Sequence, residues 1–191
     1  LVYDGRAAKV MLNQDKVRKI EESYAQCELE GANEHQVEES QKAVAKMEVI
    51  IGDPDRLRAV AEDFIKHYET RVAEGATVAG KAMFVCSNRN IAYDFYKIVK
   101  ELRPEWTEKK ICDDGVVLSE KDKKELKPME KIKLVMTRNK DDEKDLFDML
   151  GTKEDRKEFD RQFKNPKSNF KIAIVVDMWL TGFDVPELDT I

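Results

Sequence analysis

Cysteine is scarce in this chain. Cys27, Cys86 and Cys112 are the whole complement among 191 residues, odd in number and far apart. Such a set supplies neither a disulfide framework nor the paired spacing of zinc ligands, and a reducing compartment suits it. Histidine is scarcer still, at two residues: His35 reads as exposed, and His67, on an amphipathic stretch, as packed at a helix seam. No metal site is expected. No apolar run approaches the roughly 18 residues of a membrane-spanning helix, and no basic-then-apolar leader opens the chain. The expectation is a cytoplasmic location with no membrane contact. A basic excess is missing too, with 34 Lys+Arg against 39 Asp+Glu and a net charge of -5. Tight autonomous binding to nucleic acid needs clustered Lys and Arg against the phosphates, so any such contact must be local or shared with another domain.

What is present is enough apolar matter for a sizeable core, 41% of residues, at a length that favours one domain or one domain with an appendage. The acidic excess lies in residues 1–75, which hold 11 Lys+Arg against 16 Asp+Glu, whereas residues 76–191 balance at 23 against 23. The chain opens Leu1-Val2-Tyr3-Asp4 and closes within an aliphatic segment; both ends are expected to be cuts through a larger polypeptide.

Residues 13–50 read as charge-rich helix interrupted at Gly31-Ala32-Asn33. Asp53 and Pro54 stand as N-cap and first helical residue of an amphipathic helix over 54–73, whose Leu57, Val60, Ala61, Phe64, Ile65 and Tyr68 recur at helical spacing. Short aliphatic runs at 81–86, 132–137 and 172–177 suit buried parallel strands, with a fourth beginning at 188. Helices are predicted from 91 to 102 and from 153 to 163, the latter closed by Asn165-Pro166, and residues 104–130 read as an irregular insertion with room for a small strand pair. Strands alternating with helices define an α/β domain with a mainly parallel sheet.

One motif is a decoy. The stretch from Gly75 to Ala82, G-A-T-V-A-G-K-A, nearly spells a phosphate-cradling P-loop. It ends in Ala where a magnesium-binding hydroxyl belongs, and it leads into a strand where a P-loop opens a helix. Asp141-Asp142-Glu143 follows its strand too late for a metal-binding acid pair and reads as a surface turn or helix start. The last strand is more informative. It runs into Asp177, then Thr181-Gly182 and Asp184, at the strand ends where ligands gather in open α/β sheets. Gly182 lets a backbone approach a phosphate. On spacing alone a binding role and plain turn chemistry both stand, with Asp177 as a turn cap and Asp184 as an acceptor.

The segment from Val176 to Pro186, V-D-M-W-L-T-G-F-D-V-P, resembles motif V of superfamily 2 helicases, whose DEAD-box form reads T-D-V-A-A-R-G-L-D-V-P. It is closer to the D-M-x-x-T-G-F-D-x-P of the motor (R) subunit of type I restriction enzymes. Leu1–Val10 resembles the segment joining that subunit's two motor lobes. Ile50–Arg56 and His67–Arg71 resemble its helical stretch, and Gly80–Arg89 its motif IV. The resemblance covers nearly the whole chain, with the motifs in the family's order.

The resemblance implies a RecA-like, mainly parallel sheet with flanking helices over 76–191, incomplete at its C-terminus, and a helical connector over 1–75. It implies a parent that uses ATP and Mg²⁺, bound mainly by the other lobe, to translocate double-stranded DNA beside methylation and specificity subunits, and that cleaves DNA through a nuclease domain elsewhere. By the same resemblance Gly182 and Asp184 face the nucleotide, Asp177 shapes the loop, and Ser87, Asn88, Arg89, Thr181 and Gly182 meet DNA. No residue here is implied to be catalytic, and this stretch alone is expected to be inactive. Two departures bar direct transfer from the DEAD-box pattern: Val176 replaces a phosphate-binding Thr, and Thr181 replaces an Arg. For Ser87, Asn88 and Arg89 the other reading is a helix cap with a solvated arginine. Trp106 and Trp179 read as packing residues, and Tyr3 and Arg6 remain open at the interlobe junction. The rival classes are a lobe of another superfamily 2 helicase or remodeller, and a non-motor α/β protein-interaction module.

Overall fold

The computed structural model describes residues 5, 15, 18, 22, 47–179 and 184–191, and its contacts divide the chain into two compact units, Leu1–Val60 and Ala61–Ile191. In the first, residues 47–51 are helical. Asp53 then interrupts: its Oδ1 accepts the Arg56 N–H at 3.1 Å, capping helix α1 (Pro54–Ala73) as the Asp-Pro pair predicts. Most of the helical expectation for 13–50, with the break at Gly31-Ala32-Asn33, lies outside the described residues.

The second unit is built on four strands, β1 (Lys81–Val85), β2 (Ile132–Val135), β3 (Ile172–Val175) and β4 (Leu188–Thr190), in the spatial order β2-β3-β1-β4. Every pairing is parallel, with Ala82 to Val85 opposite Ile172 to Val175, and Ile132 to Val135 opposite the same four residues. Parallel neighbours need crossovers, and helices α2 (Arg89–Leu102) and α5 (Lys153–Lys164) lie on them. The central strand β3 is buried along its whole length, which is why I-A-I-V reads as an unbroken aliphatic run and not as alternation.

Alternate side chains of each strand serve opposite faces. Phe84 stacks on Phe95 of α2 at 3.9 Å between centroids and meets Phe64 of α1 edge-on at 5.2 Å. Met83, Val135, Ala173 and Val175 instead join Phe159 and Phe163 of α5, with Phe170 and Val185. The sheet is therefore sandwiched between helices, and this α/β arrangement is RecA-like.

Three lysines interrupt that apolar interior. Lys81, the lysine of the P-loop look-alike, is 1% exposed and donates Nζ to the Phe170 carbonyl at 2.6 Å. Lys133 pairs with Glu130 at 2.8 Å and lies over the Phe159 ring. Lys171 donates to the Pro166 carbonyl at 2.8 Å and meets Asp113 at 3.3 Å.

The insertion holds a 3-10 turn (Pro104–Thr107), one antiparallel bridge between Lys110 and Met129, and the short helix α3 (Glu120–Glu125), started by a Ser119–Asp122 capping box. Helix α4 (Lys144–Leu150) starts directly after Glu143, where a helix start was one of the two readings of Asp141-Asp142-Glu143; its seven residues are too few for a clear helical period to give its extent. Strands β2 and β3 each end two residues earlier than expected. Thr137 gives its carbonyl to Arg89 instead of to a ladder, and Asp177 turns the chain with φ 55°. Among the described residues, no helix is long and apolar enough to cross a membrane.

Candidate nucleic-acid interface

Because β1, β3 and β2 are adjacent and in register up to Val85, Val175 and Val135, the loops that follow them leave the sheet together at its carboxyl edge. The Cys86 N–H, bonded to the Val175 carbonyl at 2.9 Å, ties the first two. Ser87, Asn88 and Arg89 are thus brought beside Asp177 by topology alone.

Their side chains have different engagements. Ser87 is exposed. Asn88 caps α2, its Oδ1 accepting from the Ile91 N–H at 2.9 Å. Arg89 spans to the loop after β2: Nη2 donates to both carboxylate oxygens of Asp142 at 2.6 Å, and Nη1 to the Thr137 carbonyl at 2.6 Å. The Asp142 side chain is 7% exposed and that of Arg89 25%. Burial alone would raise the Asp142 carboxyl, but the Asn139 N–H and the Arg89 guanidinium outweigh it and hold the group below the ordinary carboxylate range. The reading of Asp141-Asp142-Glu143 as a surface turn or helix start holds locally, since Asp142 closes a turn with Asn139 and α4 begins at Lys144, but it passed over the long-range contact with Arg89.

After β3 the backbone is strained. Asp177 (φ 55°) and Trp179 (φ 63°) both adopt the left-handed conformation, which costs an L-residue roughly 1–2 kcal/mol and is rare for a bulky side chain. Trp179 is anchored by stacking on Phe163 at 5.4 Å, and Trp106 is buried against Tyr68 at 5.4 Å; both pack, as expected. Asp177 is exposed. Strained residues of this kind gather at binding loops and switch regions. Thr181 and Gly182 lie outside the described residues, as do Tyr3, Arg6 and His35. Asp184 is exposed just ahead of buried Val185, on the segment that leads to Leu188 opposite Lys81.

The described residues do not form a phosphate cradle. Gly80 and Lys81 lead into β1, and Lys81 is committed to Phe170. They also hold no cluster of three His, Cys, Asp or Glu suited to a metal.

A parallel α/β sheet whose chemistry-bearing loops share one carboxyl edge places the chain among RecA-like folds. Residues 78–191 match the model of the family described as type I restriction enzyme subunit R domain 3, and the chain belongs to that family. It is 33% identical over 153 residues to the type I restriction enzyme HindI endonuclease subunit of Haemophilus influenzae, covering 80% of this chain and 13% of that protein. It is 36% identical over 161 residues to a candidate type I restriction enzyme MjaIXP endonuclease subunit of Methanocaldococcus jannaschii, covering 83% of this chain and 13% of that protein. The chain thus spans only about an eighth of the curated relatives it matches. No solved structure matches it significantly.

Proposed function

We propose that this chain is the helical connector (1–75) and second RecA-like lobe (76–191) of an ATP-dependent double-stranded DNA translocase, the motor subunit of a type I restriction endonuclease. In this reading the protein is cytoplasmic and works with methylation and specificity subunits. ATP and Mg²⁺ are held mainly by the other lobe, with Gly182 and Asp184 closing on the nucleotide, and DNA phosphates meet Ser87, Asn88, Arg89, Thr181 and Gly182 while Asp177 shapes the loop. The observation that carries it is the convergence of the loops after β1, β2 and β3 at one edge, one of them holding Asp177 and Trp179 in left-handed backbone. A rigid sheet presenting a strained, exposed turn is suited to a loop that changes partners during a cycle. Family membership supports the same reading.

The test is made in the full-length polypeptide, by DNA-stimulated ATP hydrolysis and displacement of a triplex-forming strand. Asp184→Ala is expected to abolish stimulated turnover while duplex binding persists, and Thr181→Ala to weaken duplex binding. Parental turnover and displacement in both variants would overturn the assignment.

A further inference from the structure

The loop between β2 and α4 is more firmly built than a surface connection needs to be. On one flank Arg89 grips Asp142 and the Thr137 carbonyl. Asp142 also closes the loop upon itself: its Oδ2 accepts the Asn139 N–H at 2.7 Å, and its own N–H returns to the Asn139 carbonyl at 3.2 Å. On the other flank Arg138 lies over the Phe147 ring, Cζ to centroid 4.3 Å, with its Nε buried and without a hydrogen-bond partner among the described residues. What this double clamp presents at its tip is Asn139, Lys140 and Asp141, all exposed. The Lys140 ammonium forms no ion pair among the described residues, so its charge stands uncompensated beside the loops that carry Ser87 and Asp177.

We infer that Arg89 and Asp142 form a strut that positions the tip, so that Asn139 and Lys140 meet the DNA phosphates at this edge and Arg89 acts through Asp142 instead of touching DNA. This inference rests on the reading of the edge as a duplex-binding surface and departs from it at Arg89, which it takes out of the set of residues that meet phosphate. A guanidinium already satisfied by two carboxylate oxygens and a carbonyl would have to break charge-assisted bonds, each stronger than a neutral hydrogen bond, before it could take a phosphate. Lys140 need break none.

Two neighbouring aspartates make the idea testable, because they predict opposite signs. Removing an exposed acid near a polyanion relieves repulsion and strengthens binding. Removing a strut lets the loop swing away and weakens it. In the full-length polypeptide, duplex affinity measured across a salt series is expected to rise for Asp141→Asn and to fall severalfold for Asp142→Asn. Lys140→Ala should lower affinity and flatten the slope of log affinity against log salt by about one. Arg89→Lys keeps the charge but loses the second nitrogen, and it should fall with Asp142→Asn, since one ammonium cannot span the Asp142 carboxylate and the Thr137 carbonyl as Nη2 and Nη1 do. Thermal melting of each variant separates a displaced loop from a lost fold. The strut is overturned if Asp142→Asn strengthens binding as Asp141→Asn does, or if Arg89→Lys binds as the parent. Should Lys140→Ala and Asn139→Ala leave affinity and slope unchanged while Ser87→Ala lowers them, the tip is refuted and the edge stands. Should none of these changes move binding, the edge itself is refuted, and the strut's role with it.

Discussion

Lys81 concentrates the conflict between sequence pattern and structure in one side chain. As the lysine of a near P-loop it suggests a phosphate ligand, yet its ammonium is sealed beneath the sheet and spent on one carbonyl. Burial first, then repulsion from Lys171, lowers its pKa from 10.5 to about 7, against the pull of Asp113 and Glu187. The folded protein therefore releases this proton near neutrality while the unfolded chain keeps it up to its ordinary value. In between, the unfolded state binds more protons, so stability rises with pH. Lys171, also lowered chiefly by burial, acts in the same direction. The buried Cys86 thiol opposes them at higher pH: burial raises it from 9.0 to about 12, so above the lower value the unfolded chain loses its proton first and stability falls. The rise is thus expected between pH 7 and 9, as an increase in the urea midpoint of the isolated chain, with Lys81→Met losing most of it. A parental midpoint that is flat or declining over that interval would refute the buried-amine account.

Among the elements, the joint between α4 and α5 shows how much a few local contacts fix. Gly151 has φ +63°, and a Cβ there would lie 2.7 Å from the Asp155 Cβ. Asp155 cannot withdraw freely, because its Oδ2 accepts from both the N–H and the hydroxyl of Thr152 at 2.8 Å, a capping box that starts α5. Gly151→Ala thus combines the strain of a φ 63°, ψ 178° backbone that only glycine adopts readily, roughly 1–3 kcal/mol, with disturbance of a cap, whereas Thr152→Ala removes only the cap, about 1 kcal/mol. Denaturant midpoints should fall for both and further for Gly151→Ala, with slopes unchanged; a parental midpoint for Gly151→Ala would refute the clash. This joint also marks where the sequence was legible. Strands β1 to β3, α1, α2 and α5 announced themselves because each buries an apolar run or stripe, and periodicity reports burial. The extent of helix α4 and the strut did not. A seven-residue helix has no period to read, and Arg89 meets Asp142 across 53 positions, a pairing that exists only once parallel strands bring two carboxyl ends together. Asn88 was legible as a cap and Trp179 as packing, since both act on near neighbours or on the core. What the motif resemblance assigned to Thr181, Gly182 and Asp184 depends on a nucleotide and a DNA backbone, and local physics in the sequence cannot supply either.

At the scale of the whole molecule, charge decides what this chain can do unaided. A net charge of -5, with positive and negative residues in balance from 76 to 191, gives no broad attractive field for a polyanion, and phosphate neutralisation is the term that supplies non-specific DNA affinity. On the proposed reading, a carboxyl edge whose β2 loop carries one ammonium without an ion pair among the described residues, beside exposed acids at Asp141, Asp177 and Asp184, has too few contacts to hold a duplex alone. Hydrolysis belongs to the other lobe in the proposed reading, and the lysine of the P-loop look-alike in this chain is buried. The isolated 191-residue chain is accordingly expected to hydrolyse ATP at background rate with or without DNA. Its duplex binding at physiological salt should be weaker than the roughly 10⁻⁶ M reached by good non-specific binders. Coupled turnover and tight binding should emerge when a second RecA-like lobe completes the cleft, because phosphates are then gripped from two sides and both lobes contribute to the salt slope. Phosphate release from the purified isolated chain, measured beside the full-length polypeptide, decides the matter. Substantial DNA-stimulated turnover by the isolated chain would mean that the hydrolytic site resides within these residues and that the two-lobe account is wrong.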